Sequence, residues 1–358
     1  MKKILITTGG SGGHVIPAKI IQEHLSNNFE IFFTTDLRGL KFFSSKGYKI
    51  KIIDTPKINF NIFFPINLIK LIYLVAKSIF FLKKEKIDKV ISIGGYMSIP
   101  VVIGSKILGL TIILLEPNMV LGRGNRFFLN FAKKILCYSD NILNYPKKHN
   151  HKIELIKPLV SKSFYDLKPN NKLNNKLNNK LCFLIVGGSQ GAKIFDELMK
   201  EVIFDLSKKF SISVIQQTNK ENISNLKKFY DDQNIENQIF DFEEKFHEII
   251  NFSDLCITRA GASSLAEMSL LNKPFIAIPL PSAKDDHQLK NANFYEGKGC
   301  CWVLDQKTLS HDKLLEFLLN ILNNKSALFD KKSNLKKLNY NNSWLNINQK
   351  LLRVIDEN

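Results

Sequence analysis

Residues 4–14 read Ile4-Leu5-Ile6-Thr7-Thr8-Gly9-Gly10-Ser11-Gly12-Gly13-His14. An apolar run of strand length breaks into four glycines within five positions, and helical spacing follows over Pro17–Leu25. A strand, a glycine turn and a helix in that order open a parallel α/β sheet. The glycines let a ligand approach the backbone, and the helix start offers free N–H groups to an anion. The same order recurs at Phe183-Leu184-Ile185-Val186-Gly187-Gly188-Ser189-Gln190-Gly191-Ala192. Two such openings imply two doubly wound, Rossmann-like domains facing each other across a cleft, with ligands at the carboxyl ends of the strands.

The rest of the chain fits around these anchors. In the first half, Lys3–Thr8, Glu30–Thr34, Lys89–Ile93, Thr111–Leu115 and Lys134–Tyr138 read as strands, and Met97–Leu108 and Gly122–Ala132 as helices. In the second half the strands are Leu181–Val186, Ser211–Gln216, Gln238–Phe242, Asp254–Thr258 and Pro274–Ile278, and the chain is helical and basic from His311 onward. Between the halves, KPNNKLNNKLNNK (168–180) has no core-forming content and reads as a linker. A length of 358 residues suits about two domains.

Neither glycine turn is a dinucleotide fingerprint or a P-loop. Val15 stands where the third fingerprint glycine belongs, and no Gly-Lys-Ser/Thr follows. His14 sits at the helix start, where it either acts as a general base or caps the turn. A third turn, Thr258-Arg259-Ala260-Gly261-Ala262-Ser263-Ser264-Leu265-Ala266-Glu267, again leads a strand into a helix. Glu267, one helical turn on, is placed to accept hydrogen bonds from two ribose hydroxyls or is a plain surface charge. Pro274–Pro279 then forms a buried strand, followed by the polar loop Asp285-Asp286-His287-Gln288 and Asn291. The chain has no Asp-x-Asp pair for a metal-held diphosphate, so glycine turns and helix ends would do that work.

The net charge is +18, yet only Arg38, Arg123, Arg126, Arg259 and Arg353 among the 51 basic residues are arginines. That usage reads either as compositional drift on a solvated surface or as attraction to an anionic partner. Cys137, Cys182, Cys256, Cys300 and Cys301 are odd in number, lack zinc spacing and sit in apolar runs, which suits reduced core thiols of a cytosolic protein. The apolar start is too short for a signal peptide. Phe60 to Leu82 is the most hydrophobic segment, interrupted by Lys70 and Lys77, with Lys83, Lys84 and Lys86 beside it. It is a core helix or, as the lysines favour, a helix lying in a membrane interface.

GGSGGHVIPA (9–18), IGGY (93–96), VGGSQGA (186–192) and TRAGASSLAE (258–267) with its PFIAIP and DDHQLKNA sequel together resemble the MurG family. These are the UDP-N-acetylglucosamine:lipid I N-acetylglucosaminyltransferases of peptidoglycan synthesis. The match runs from the first strand to about Asn291. The resemblance implies a GT-B fold, with an acceptor and membrane-facing domain over 1–160 joined by the C-terminal helix 340–358, and a UDP-GlcNAc domain over 161–339. It implies an inverting transfer of GlcNAc to the 4-hydroxyl of MurNAc on lipid I, giving lipid II, without metal or cofactor. It implies a peripheral protein on the cytoplasmic face of the inner membrane, held to the anionic surface through Phe60–Lys86, with no nucleic-acid partner.

By position, the donor contacts would be Ser11, Gly12, Gly13, Asn118, Ser161, Ser189, Gln190, Gly261, Ala262, Ser264, Glu267, His287 and Gln288. Gly10, Gly12, Gly13, Gly94, Gly95 and Tyr96 would receive the acceptor diphosphate, and His14 or Glu116 would be the base. The sequence departs from the family at Leu115, where a His is usual, and at Ser161, where an Arg is usual; Lys162 is the neighbouring cation. The alternatives are a GT-B enzyme with another nucleotide sugar or acceptor and, more remotely, a basic nucleic-acid-binding α/β protein.

Overall fold

Continuous apolar runs such as Ile4-Leu5-Ile6, Val90-Ile91 and Ile112-Ile113-Leu114-Leu115 suit strands covered on both faces, and all of these residues are buried. The structure, a computed structural model, describes residues 1–43, 47–56, 62–167, 180–188 and 193–357. The chain divides into two compact units, one of Met1–Lys162 with Ser343–Asn358 and one of Ser163–Asn342.

In the first unit the elements run β1 (Lys3–Thr7), α1 (Gly12–Leu25), β2 (Glu30–Thr35), α2 (Leu37–Leu40), β3 (Lys49–Ile52), α3 (Phe64–Lys84), β4 (Lys89–Ser92), α4 (Ile99–Ile107), β5 (Thr111–Glu116), α5 (Arg123–Phe128), β6 (Lys134–Cys137) and β7 (Ile153–Leu155). The sheet order is β3-β2-β1-β4-β5-β6-β7, parallel throughout. Winding therefore reverses between β1 and β4, and the turns leaving those two strands flank the switch point. They are the turns that carry Gly9–Gly13 and Gly94–Tyr96.

α6 (Lys162–Tyr165) leads into the second unit, with β8 (Leu181–Val186), α7 (Lys193–Ser207), β9 (Ile212–Gln217), α8 (Ile223–Asp232), β10 (Glu236–Phe240), α9 (Phe246–Phe252), β11 (Leu255–Thr258), α10 (Ala262–Leu270), β12 (Phe275–Ala277), α11 (His287–Glu296), β13 (Cys301–Val303), α12 (His311–Asn323) and α13 (Lys325–Leu338). Its sheet order, β10-β9-β8-β11-β12-β13, repeats the first winding, again parallel. The turns leaving β8 and β11 flank this switch point. α7 shows why these helices cover the sheet. Phe195, Met199, Val202, Ile203 and Leu206 recur at helical spacing and are buried in one cluster with Phe183, Ile185 and Val214. Each such side chain contributes about 1.5–3 kcal/mol on full burial.

α14 (Trp344–Asp356) returns to the first unit. It buries Ile347, Leu351, Val354 and Ile355. The Trp344 ring stacks on His24 of α1 with centroids 3.5 Å apart, and Asn348 Nδ2 donates to the His24 carbonyl at 2.7 Å.

α3 buries only Leu71, Leu74, Ser78 and Leu82. Ile66, Ile69, Tyr73 and Phe80 are each at least 63% exposed. At about 100° per residue the exposed stripe lies roughly opposite the buried one, and Lys70, Lys77 and Lys84 run along one flank between them. Among the described residues α3 is the one helix long and apolar enough to cross a membrane, but its inner face packs on the sheet with Leu5, Phe32 and Val90. Phe60 and Asn61, which open the expected membrane segment, lie outside the described residues.

Several expected boundaries move. α1 begins at Gly12 rather than Pro17, because the end of the glycine turn is itself the first helical turn and Pro17 falls inside the helix. α5 ends at Phe128, short of Ala132, and β10 lies two residues earlier than the apolar run suggested. β3, β7 and β13 were absent from the sequence reading. Each is an edge strand of three or four residues. All five cysteines are buried free thiols.

Candidate active site

The two glycine turns of the first unit are built against each other. Gly9, Gly10, Gly94 and Gly95 all have positive φ, at 153, 84, 90 and 81°. A Cβ on Gly10 would lie 2.7 Å from Met97 Cε, and one on Gly95 2.5 Å from Met97 Sδ. Met97 thus fills the space between the turns, so these glycines answer to packing as well as to conformation. Ser98 Oγ donates to the Gly94 carbonyl at 2.9 Å, and Thr7 Oγ1 donates to Ser98 Oγ at 3.2 Å, tying the second turn to β1.

The amides of these turns divide into engaged and open. Gly10 N donates to Asp36 Oδ1 at 2.8 Å, and Gly94 N to Ser92 Oγ at 3.2 Å. The Gly10 amide therefore serves the turn rather than a diphosphate. Gly12 and Gly13 are the first two residues of α1, and the Ser11 side chain makes no cap bond to them. Among the described residues neither amide meets an acceptor, as at an uncapped helix start, although Gly12 itself is buried. Ser11 and Gly13 are exposed, and His14 is half-buried in the same turn.

The other base candidate is differently placed. Glu116 is 2% exposed. Its Oε1 accepts from Asn118 N at 3.2 Å and Asn118 Nδ2 at 3.1 Å, and its Oε2 from Gly122 N at 2.8 Å and Asn125 Nδ2 at 3.0 Å. Burial pushes the carboxyl up, while these N–H donors pull it back. With both oxygens bonded to N–H groups, Glu116 holds the loop that presents Asn118. Ser161, at the position of the departure, hydrogen-bonds Glu23 of α1, and the backbone N–H of Lys162 donates to Glu23 Oε2 at 3.2 Å.

In the second unit Gly188 has φ 81° and donates its N–H to Gln217 Oε1 at 3.2 Å. Ser189 and Gln190, expected at the donor diphosphate, lie outside the described residues. Gly261 caps α10 from outside, followed by Ala262 and Ser264 in its first turn. Glu267 is half-buried, and desolvation pushes its carboxyl up to about 8. Asn291 Nδ2 donates to the Ala260 carbonyl at 3.1 Å, joining α11 to this turn.

His287 and Gln288 open α11 after a left-handed turn at Asp285 and Asp286, with φ 54 and 52°. His287 Nδ1 lies 2.8 Å from the Lys284 carbonyl, which can only accept. That fixes the hydrogen on Nδ1 and leaves Nε2 an acceptor in the neutral ring. Gln288 Oε1 accepts from Leu280 N at 2.9 Å, so its amide group is left to donate. The pair offers one acceptor and one donor, the complement of a sugar hydroxyl.

Sequence reasoning gave no role to Arg259. It is 8% exposed at the end of β11, donates Nη1 to the Ile278 carbonyl at 2.9 Å, and lies 4.8 Å from the Phe195 ring. Among the described residues it has no carboxylate partner, and burial pulls its pKa down. A buried cation without a counter-charge beside a helix start favours an anion there. The signal in the sequence was its being one of five arginines. Among the described residues no group of three or more His, Cys, Asp or Glu is placed to hold a metal ion.

Comparison with known proteins places this geometry. Residues 4–137 match the glycosyltransferase family 28 N-terminal domain, and residues 182–343 match the family 28 C-terminal domain. The UDP-N-acetylglucosamine--N-acetylmuramyl-(pentapeptide) pyrophosphoryl-undecaprenol N-acetylglucosamine transferase of Pelagibacter ubique (strain HTCC1062) is 49% identical over 358 residues, covering 100% of this chain and 99% of that protein. The like-named protein of Rickettsia bellii (strain RML369-C) is 34% identical, covering 94% and 95%. In fold, the chain is similar to MurG of Acinetobacter baumannii, with TM-score 0.78, 23% identity and coverage of 99% and 100%. It is also similar to a UDP-GlcNAc 2-epimerase of Neisseria meningitidis solved with UDP-GlcNAc, with TM-score 0.67, 13% identity and coverage of 99% and 100%. Matched end to end by such relatives and by both domain models in order, the chain belongs to the MurG family of glycosyltransferase family 28 and has its two-domain GT-B fold.

Proposed function

We propose that this chain transfers GlcNAc from UDP-GlcNAc to the 4-hydroxyl of the MurNAc of lipid I, giving lipid II. The observation that carries the reading is the full-length relation to the P. ubique transferase, at 49% identity. The local geometry suits it, since each unit turns a glycine-rich strand end toward its switch point.

The second unit takes the donor. Glu267 accepts the ribose hydroxyls, His287 and Gln288 read the GlcNAc hydroxyls, and Gly261, Ala262 and Ser264 line the nucleotide. The first unit takes the acceptor, with the open amides of Gly12 and Gly13 and the Gly94–Tyr96 turn at its diphosphate.

His14 takes the proton of the 4-hydroxyl as its oxygen bonds to C1 of GlcNAc. The C1–O bond to the diphosphate breaks on the opposite face, its electron pair leaves with UDP, and the sugar centre inverts. The charge growing on UDP meets the α10 helix start and the field of Arg259. Leu115 stands where the family's usual histidine would be, which leaves His14 as the base.

The protein works at the cytoplasmic face of the inner membrane as a peripheral protein. The exposed stripe of α3 enters the anionic interface, and Lys70, Lys77 and Lys84 meet the headgroups.

Donor selection tests the reading. Isothermal titration should show UDP-GlcNAc binding well ahead of UDP-GalNAc and UDP-glucose. Equal affinity for all three would favour a GT-B enzyme with another nucleotide sugar.

A further inference from the structure

Resting on the reading of the first unit as the acceptor side, we propose that Arg38, with the Tyr96 hydroxyl, is the side-chain cation that grips the acceptor's diphosphate between the two glycine turns. Tyr96 belongs to the IGGY motif, whereas Arg38 lies outside every glycine-rich stretch and is not anticipated by the motif pattern.

The guanidinium is held from below and open above. Asp36, whose side chain is 3% exposed, accepts Arg38 Nε at 3.0 Å and pairs with Nη2 at 2.9 Å. The same carboxylate accepts the amides of Gly10 and Gly39, each at 2.8 Å, and these two amides, with the Arg38 guanidinium, hold its pKa down against burial. Asp36 thus fixes the first glycine turn and the arginine as one body. Arg38 Nη2 also donates to the Tyr96 hydroxyl at 2.5 Å, reaching the second turn.

Among the described residues no acceptor faces Nη1, and the Arg38 side chain is 51% exposed. Tyr96 accepts from Arg38, so its own hydroxyl hydrogen is free to be donated. A Cβ on Gly10 would lie 3.7 Å from Nη2, which puts the cation directly over the first turn. Two outward donors, one of them a planar cation, stand where a doubly charged diphosphate diester would sit. In a chain that carries its positive charge mostly on Lys, Arg at this position supplies a fork that can hold Asp36 and an anion at once, which a Lys ammonium cannot reproduce.

The test compares Arg38→Ala, Arg38→Lys and Tyr96→Phe in the full-length protein. The readouts are the KM for lipid I in detergent micelles, the Kd for UDP-GlcNAc, and inhibition by geranyl diphosphate with geraniol as control. Loss of a charge-assisted contact should raise the lipid I KM about tenfold or more in Arg38→Ala. Inhibition by geranyl diphosphate should weaken by a similar factor, with Arg38→Lys between and the UDP-GlcNAc Kd unchanged. A merely structural arginine would not move the diphosphate-specific part of inhibition. Unchanged lipid I KM and unchanged geranyl diphosphate inhibition would overturn the proposal. Should Arg38→Ala fail to fold, Arg38→Lys and Tyr96→Phe decide, and wild-type inhibition in both overturns it. A wild-type protein without lipid-I-dependent turnover would overturn the acceptor reading itself, whereas turnover indifferent to Arg38 would overturn this assignment alone.

Discussion

Glu267 carries a pH signature of its own. With its carboxyl pushed up to about 8, it is mostly protonated at pH 7 in the free protein. Accepting two ribose hydroxyls favours the carboxylate, so donor binding expels a proton. UDP-GlcNAc affinity should therefore rise with pH up to about 8, by at most about tenfold per pH unit. Glu267→Gln should bind more weakly above pH 8 and lose the slope; an unchanged slope by titration calorimetry would remove Glu267 from the ribose. His14 should show the opposite division of effects. His14→Ala is expected to lower kcat by about 10²–10⁴-fold while leaving the UDP-GlcNAc Kd unchanged, and a large loss of donor binding would take it out of the base role. Residue roles were only partly legible from the sequence. Glu116 is a base candidate in the sequence because the family's usual histidine is missing beside it, at Leu115. Only the fold shows both its oxygens accepting from Asn118, Gly122 and Asn125. Asp36 gave no local signal at all, since the turn it holds lies 26 residues away in sequence.

At the scale of elements, α3 and α14 make separable predictions. Ile69, Ile72 and Phe80 are at least 61% exposed, whereas Ile79 packs on Gly104 of α4. Replacing those three exposed residues with Gln should release the protein from anionic vesicles in a co-sedimentation assay and leave the melting temperature nearly unchanged. Undiminished co-sedimentation would assign the stripe to another role. α14 is held in part by the stack of Trp344 on His24, whose pKa burial lowers to about 4. The unfolded chain binds that proton at about 6.5, so the neutral ring's contribution is complete above that pH and fades as pH falls toward 4. The loss should reach about 3 kcal/mol, and His24→Phe, which keeps the stack, should flatten urea-unfolding stability between pH 6.5 and 4. An equally steep decline in the variant would place the acid sensitivity elsewhere. The elements the sequence did not reveal, β3, β7 and β13, are short sheet edges. Strands such as β3 (Lys49-Ile50-Lys51-Ile52) lack the doubly covered apolar run that made the central strands readable.

At the scale of the whole molecule, the winding was legible because it was written twice. Ile4–Gly13 and Phe183–Ala192 each place glycines after a buried strand, and each opens a sheet whose order reverses beside that strand. Switch-point turns need backbone approach and positive φ, and glycine records both requirements in the sequence. What glycine cannot record is which amides remain open, and here Gly10 proves engaged while Gly12 and Gly13 do not. The central claim is that this fold joins a nucleotide sugar to a lipid-linked acceptor. The measurement that bears on it most directly is UDP release from UDP-GlcNAc by the full-length protein, with and without vesicles carrying lipid I. Release should require lipid I and stop when the 4-hydroxyl acceptor is consumed. UDP-GlcNAc binding with no lipid-I-dependent release would contradict it.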